Sequence, residues 1–120
     1  MNRTLQQALH AVGMAEHPDK APAARSPQWP KARAAWLREH PACEACGGTD
    51  HVEVHHRVPF SWDASRELDK TNFVTLCEKG PGCNCHLHYG HCGNWKFANS
   101  NVDRDASWAK SMIGLASKRA

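Results

Sequence analysis

The stretch 51–60, HVEVHHRVPF, decides how the rest of the chain is read. Val52 and Val54 alternate with polar residues, the period of a half-buried strand. The run ends in two adjacent imidazoles, His55 and His56, and Pro59 follows where regular strand pairing stops. Neighbouring side chains on a regular strand point to opposite faces. Both histidines can therefore work at one site only if the strand bends or bulges there. The doublet can then split its duties: one imidazole binds a metal, and the other takes a proton. An ordinary imidazole pKa of about 6.5 suits that second role near neutral pH.

The residues around the doublet are metal ligands by type. All six cysteines fall between Cys43 and Cys92, together with six of the nine histidines. Cysteine and histidine clustered in this way point to metal before disulfides. Cys43-x-x-Cys46, in the glycine-rich turn CEACGG, is a chelating knuckle that needs a second pair to close a tetrahedral site. The chosen set is Cys43, Cys46, Cys77 and Cys85, with Cys83 as the substitute for Cys85. Four thiolates leave no open position, so this site is structural. His86, His88 and His91 form a second histidine group after Cys85. His88 is the weakest candidate of the three, because i+2 on a helix faces away.

The remaining segments frame this centre. Leu5, Leu9 and Val12 suggest a short amphipathic helix over 3–14. Residues 18–30 hold four prolines and read as a linker. KARAAWLRE (31–39) is a strong helix former that ends at His40-Pro41, with Trp29, Ala32, Trp36 and Leu37 on one buried stripe. FVTLC (73–77) is a second short strand, and SWDASRELDKTN and EKGPGCN are loops. HLHYGHCGNWKF suggests a short helix weakened by Gly90 and Gly93. The tail 106–116 places Trp108, Met112 and Leu115 at helical spacing, to cover the core.

The chain has 120 residues, enough for one small domain that gains from a metal staple. The formal net charge is +3, with basic flanks around a mildly acidic Cys/His centre, so a bound polyanion would be attracted by the flanks and the metal. The N-terminal stretch has no apolar signal core, and no run is long enough to span a membrane. A reducing cytoplasm is the expected setting, with no membrane partner.

Read in order, Cys43-x-x-Cys46, His55-His56-x-x-Pro59, Asn72-x-x-x-Leu76-Cys77 and Cys85-His86 resemble the HNH endonucleases, the zinc-knuckle members of the ββα-metal nuclease group. The stretch HLHYGHCGNWK is also similar to one branch of small HNH proteins. The resemblance spans roughly residues 25–105. It implies an α+β fold: a small single domain with a ββα-metal core, a structural zinc site and flanking helices. An N-terminal arm and linker would take up 1–24, and the nuclease domain with a C-terminal helical extension 25–120.

By the same resemblance, His55 and His86 hold the catalytic divalent metal (Mg²⁺, Mn²⁺, Ni²⁺ or Zn²⁺), with His91 as a third ligand. His56 is the general base, and Asn72 holds the base-bearing loop. Arg57 is a candidate phosphate contact. The substrate implied is DNA, double-stranded and read with low sequence specificity, since no base-reading element is recognisable. A phage or mobile-element protein is left open as a partner. Two departures stand out: seven residues separate Cys77 from Cys85, where many relatives have a close pair, and Phe73 follows Asn72 where leucine is common. The rival readings are a zinc-stapled nucleic-acid-binding module that does not cut, which needs neither His56 nor Asn72, and a zinc-stabilised protein-interaction domain, which leaves the histidine groups unexplained.

Overall fold

The computed structural model describes residues 14–16, 24–79 and 84–119, without side chains for 14–16 and 114–119. The expected helix at 3–14 lies outside the described residues but for Met14, which is part of a strand. That strand, β1 (Met14–Glu16), pairs antiparallel with Phe97–Asn99. Cys83 also lies outside the described residues.

The helix α1 (Trp29–Glu39) begins two residues before the expected start, with Pro30 in its first turn, where a missing N–H costs nothing. Ser26 marks its entry, the Oγ accepting from Gln28 N at 3.1 Å and the carbonyl from Trp29 N at 3.0 Å. The helix ends as the sequence requires, with His40 N donating to Trp36 O at 2.8 Å just before Pro41. Its apolar stripe is half-buried rather than buried, because it lies on a sheet of only two strands.

Strands β2 (Val52–His56) and β3 (Phe73–Cys77) form an antiparallel pair in unbroken register, from Val52 opposite Cys77 to His56 opposite Phe73. All five residues of β3 are buried, which explains why FVTLC is continuous rather than alternating. Phe73 and Thr75 meet α1. Trp36 Nε1 donates to Thr75 Oγ1 at 3.0 Å, and Trp29 and Trp36 pack edge-on to Phe73 with centroids 5.6 and 5.5 Å away. Val74 and Leu76 enter the core cluster with Cys43, Ala45, Cys77, Cys85, Val102, Ala106 and Ala109.

The polar segment between the strands is ordered by two short 3₁₀ turns, Ala64–Arg66 and Lys70–Asn72. Each is capped by an aspartate: Asp63 accepts from Ser65 N at 3.1 Å, and Asp69 from Thr71 N at 2.9 Å. After β3 the chain forms a π-helical turn, His86–Gly90, then β4 (Phe97–Asn99) and α2 (Val102–Arg119). The expected helix over HLHYGHCGNWKF is thus one wide turn followed by a strand. The tail is helical, but among its described side chains the covering ones are Val102, Ala106 and Ala109, and the Leu115 side chain lies outside the described residues. Trp108 and Met112 are exposed at 60% and 41%. Alanines let the helix backbone approach the core closely, which a tryptophan there would prevent.

Arg57 fastens α2 to the strand pair. Its guanidinium grips Asp103 with two bonds, Nε to Oδ2 at 3.0 Å and Nη2 to Oδ1 at 2.7 Å, and Nη1 donates to the carbonyls of Thr71 and Phe73. Among the described residues, no helix is long and apolar enough to cross a membrane.

Three of the core cluster's nine buried residues are cysteines, so the core closes around sulfur. Cys43→Ser is expected to abolish stoichiometric zinc and cooperative unfolding together, because a structural metal contributes folding energy. Metal analysis alongside urea unfolding checks this. A zinc-free variant that still unfolds cooperatively at the wild-type midpoint would remove the staple assignment.

Candidate metal and catalytic centre

Two ligand groups lie side by side. The sulfur atoms of Cys43, Cys46, Cys77 and Cys85 all lie within 4.8 Å of one another, and so do one nitrogen each from His55, His86 and His91. None of the described cysteines is joined in a disulfide to another described residue.

The sulfur group is preorganised by backbone. Cys46 N approaches Cys43 Sγ at 3.4 Å and Gly48 N approaches Cys46 Sγ at 3.4 Å, as donors to sulfur in a tight knuckle. Gly47, at φ +76°, takes the left-handed conformation the turn needs, which would strain any residue with a side chain. The sulfurs of Cys46 and Cys77 are 3.6 Å apart. Two thiolates about 2.3 Å from one tetrahedral zinc lie roughly 3.8 Å apart, so the spacing fits that ion. Burial, then the Cys77 and Cys43 thiols beside it, pushes the Cys85 thiol well up from its ordinary value. A divalent cation reverses that cost, because a coordinated thiol is deprotonated. The chosen set thus converges, with Cys85 in the fourth position.

The histidine group carries an equally specific pattern of donors. The Phe97 carbonyl lies 2.7 Å from His91 Nδ1, and a carbonyl can only accept, so Nδ1 carries the proton. Glu78 Oε1 lies 2.6 Å from His86 Nδ1 and fixes the same tautomer there. The Nε2 lone pairs of the two rings then face each other at 3.2 Å. Two nitrogens about 2.0–2.1 Å from a tetrahedral cation are separated by roughly 3.3 Å, so this contact has the spacing of a shared metal. His55 completes the group with its ring centroid 4.9 Å from His86 and 4.8 Å from His91. It is 1% exposed, and among the described residues neither ring nitrogen has a hydrogen-bond partner. Leaving such a group unpaired costs about 1–3 kcal/mol, which ligation offsets. Burial, reinforced by His86 and His91, holds His55 well below the ordinary imidazole pKa. Burial likewise lowers His91 to about 4. Both are neutral at pH 7, the form that binds metal.

The π-helical turn explains the spacing of His86 and His91. Residues five apart on an α-helix are about 140° out of line. Bonds from i to i+5 widen the turn and bring the two rings onto one side. Gly90 sits inside that turn because a Cβ there would meet His55 Nδ1 at 2.8 Å. His88 points elsewhere, into a separate cleft of about 420 Å³ that also includes Tyr89, Cys92, Asp105 and Trp108.

His56 occupies the opposite face of β2. Of the two distortions expected at the doublet, a bend or a bulge, the unbroken register removes the bulge. A cleft of about 130 Å³ instead brings His56 together with His86 and His91, the rings that touch His55. The Glu67 carbonyl lies 2.9 Å from His56 Nε2, so Nε2 carries the proton and Nδ1 keeps its lone pair. Burial lowers the His56 pKa, against the pull of the Glu67 carbonyl, and the Arg25 charge adds to the lowering. Trp29 packs against the ring at 4.6 Å.

Asn72 is fully buried and ties the loop after β2 in place. Its Oδ1 accepts from Val58 N at 2.8 Å, and its Nδ2 donates to Val58 O at 3.0 Å and Arg66 O at 3.2 Å. Arg57, read as a phosphate contact, has its guanidinium committed to Asp103 and two carbonyls. Sequence reasoning missed Glu78 and Glu67. Glu78 had a legible signal: it follows Cys77 as His86 follows Cys85, so two consecutive pairs each place one residue at each centre. Glu67 had none, since it acts on His56 through its backbone carbonyl.

Residues 43–91 match the family model for HNH endonucleases. The match covers the cysteine knuckle, the histidine doublet, Asn72 and the turn that carries His86 and His91, so this segment is similar to HNH endonuclease domains. The match points to a nuclease or nucleic-acid-related function, and the two ligand groups have the spacing to hold metal ions. No curated protein and no solved structure matches the chain.

Two substitutions separate the centres. Gly90→Ala displaces His55, and Glu78→Ala frees the His86 ring. Each is expected to weaken Ni²⁺ or Mn²⁺ binding about 10–100-fold by calorimetry, with one tightly held zinc retained. Unchanged affinity in both variants would dissociate His55 and His86 from the metal.

Proposed function

We propose that this domain is an HNH endonuclease that hydrolyses DNA phosphodiester bonds, with His56 as general base and a divalent metal on His55, His86 and His91. The observation that carries the reading is the division of the doublet. One imidazole is sealed among other imidazoles with both nitrogens unpartnered, and its neighbour has one nitrogen anchored and the other available.

His56 Nδ1 takes a proton from a water in the cleft. The Glu67 carbonyl holds the ring in the tautomer that can do so and stabilises the imidazolium that forms. The water oxygen bonds to phosphorus, the bond from phosphorus to the 3′ oxygen breaks, and the departing oxygen takes a proton from solvent. A 5′-phosphate and a 3′-hydroxyl result. A divalent cation, when bound, supplies positive charge to the phosphate oxygens as negative charge grows. Asn72 keeps the segment after β2 fixed relative to His56 through its three hydrogen bonds. Arg57 reaches a phosphate only by giving up Asp103. Zinc is the ion we assign to the cysteine site, and duplex DNA with little base discrimination is the substrate class.

Cleavage of supercoiled plasmid in Mg²⁺, Mn²⁺, Ni²⁺ or Zn²⁺ tests the reading. His56→Ala is expected to lower the rate by about 10²–10⁴-fold, the usual contribution of a general base, with zinc content and melting temperature retained. If neither wild type nor variant cuts while both bind DNA, the domain is a zinc-stapled binding module instead.

A further inference from the structure

The cleft beside His56 contains a cation that lies outside the matched segment. Among its described lining residues, Arg25 is the one permanent positive charge, with His56, His86, His91 and Phe60 around it. Its guanidinium lies over two rings, 5.1 Å from the Trp29 centroid and 4.8 Å from that of Phe60. Trp29 in turn packs on His56. The two rings hold the planar fork in place with little loss of its donors, because a π-face takes up the charge and not the N–H groups.

The alternative use of Arg25 is to neutralise buried Glu67. The geometry argues against that being its whole role. Arg25 Nη1 meets Glu67 Oε2 at 3.4 Å, a single long contact, and Ser26 N satisfies Oε1 at 3.0 Å. Elsewhere in the same protein arginine grips carboxylate with two bonds, at 3.2 and 2.7 Å from Arg33 to Glu53 and at 3.0 and 2.7 Å from Arg57 to Asp103. Among the described residues, the bond to Glu67 is the only hydrogen bond that Arg25's guanidinium makes. Its side chain is 46% exposed, so the remaining donors are accessible.

We propose that Arg25 binds the scissile phosphate, its free guanidinium donors gripping a non-bridging oxygen between His56 and the His86–His91 pair. The inference rests on the nuclease reading above and names the group that seats its substrate. Glu67 then serves both partners of the reaction: its carboxylate anchors the 25–26 segment and its carbonyl anchors the base. The phosphate gains charge in the transition state, and a charge-assisted fork strengthens as it does.

The test uses zinc-loaded full-length protein. Arg25→Ala is expected to slow plasmid nicking and hydrolysis of bis(p-nitrophenyl) phosphate, a diester without bases, by about 100-fold, the scale for losing one such donor. Calorimetric Ni²⁺ affinity should not change. Added guanidinium ion at millimolar levels should restore part of the rate, which a purely structural role would not allow, and Arg25→Lys should recover only part. If Arg25→Ala fails to fold, Arg25→Ala/Glu67→Gln removes both charges and is assayed in its place. Wild-type rates in the folded variant, or a loss that guanidinium does not rescue and that follows Ni²⁺ affinity, would overturn the assignment.

Duplex binding, measured in the His56→Ala background so that substrate survives, separates the two readings. If wild type cuts nothing, the nuclease reading fails. Arg25 still stands as a phosphate contact if Arg25→Ala weakens binding and reduces the slope of log affinity against log salt by about 1. An unchanged slope would remove it.

Discussion

Four sulfurs set the position of everything else. Cys43 and Cys46 bring the turn before β2, Cys77 the end of β3, and Cys85 the start of the π-helical turn, into one buried cluster. A small domain with a two-stranded sheet has little apolar area to bury, so a metal closing the sulfur group would supply cohesion that side-chain packing alone would not. The chain then uses the next residue in each case. Glu78 follows Cys77, His86 follows Cys85, and these two side chains meet at 2.6 Å. The distance from a structural centre to a ligand of the second centre is therefore one peptide unit, twice over.

Burial does different work on the two doublet histidines. His55 has both nitrogens withdrawn from water and from hydrogen bonds, and so is fit to be a ligand. His56 is less deeply placed and has one nitrogen tied to a carbonyl, so it has a fixed tautomer and one basic lone pair. Both are kept neutral chiefly by desolvation. The unbroken register of β2 and β3 makes the difference possible, because adjacent residues face different environments. A bulge would have placed both rings in the same surroundings.

The polar segment between the strands has little apolar content of its own, yet it is firmly held. Asn72, at its far end, bonds to Val58 near its start and to Arg66 in its middle, and Glu67 joins it to the segment before α1. Charge in the cleft thus comes from a residue far from the histidines in sequence. Residues 14–16 are tied to the domain as well, through the pairing of β1 with β4.

The sequence by itself determined which residue types would meet. The knuckle, the doublet, Asn72 and the two later histidines are legible because metal ligands and their spacings are chemically restrictive. The two strands are legible because burial leaves a period, or a continuous run, in the residue types. Other features depended on tertiary structure. That the Cys85 sulfur meets those of Cys43, Cys46 and Cys77 shows only in the convergence of three segments. The five-residue spacing of His86 and His91 made sense only once the turn proved to be π-helical around Gly90. The tail's covering face went to Val102, Ala106 and Ala109 because the space beside the core admits only small side chains, whereas hydrophobicity alone had favoured Trp108 and Met112. Arg57 and Arg25 are both arginines on mildly polar segments. Which of them is committed to a carboxylate and which faces the cleft depends on where the chain folds back, and that is set by contacts between residues tens of positions apart.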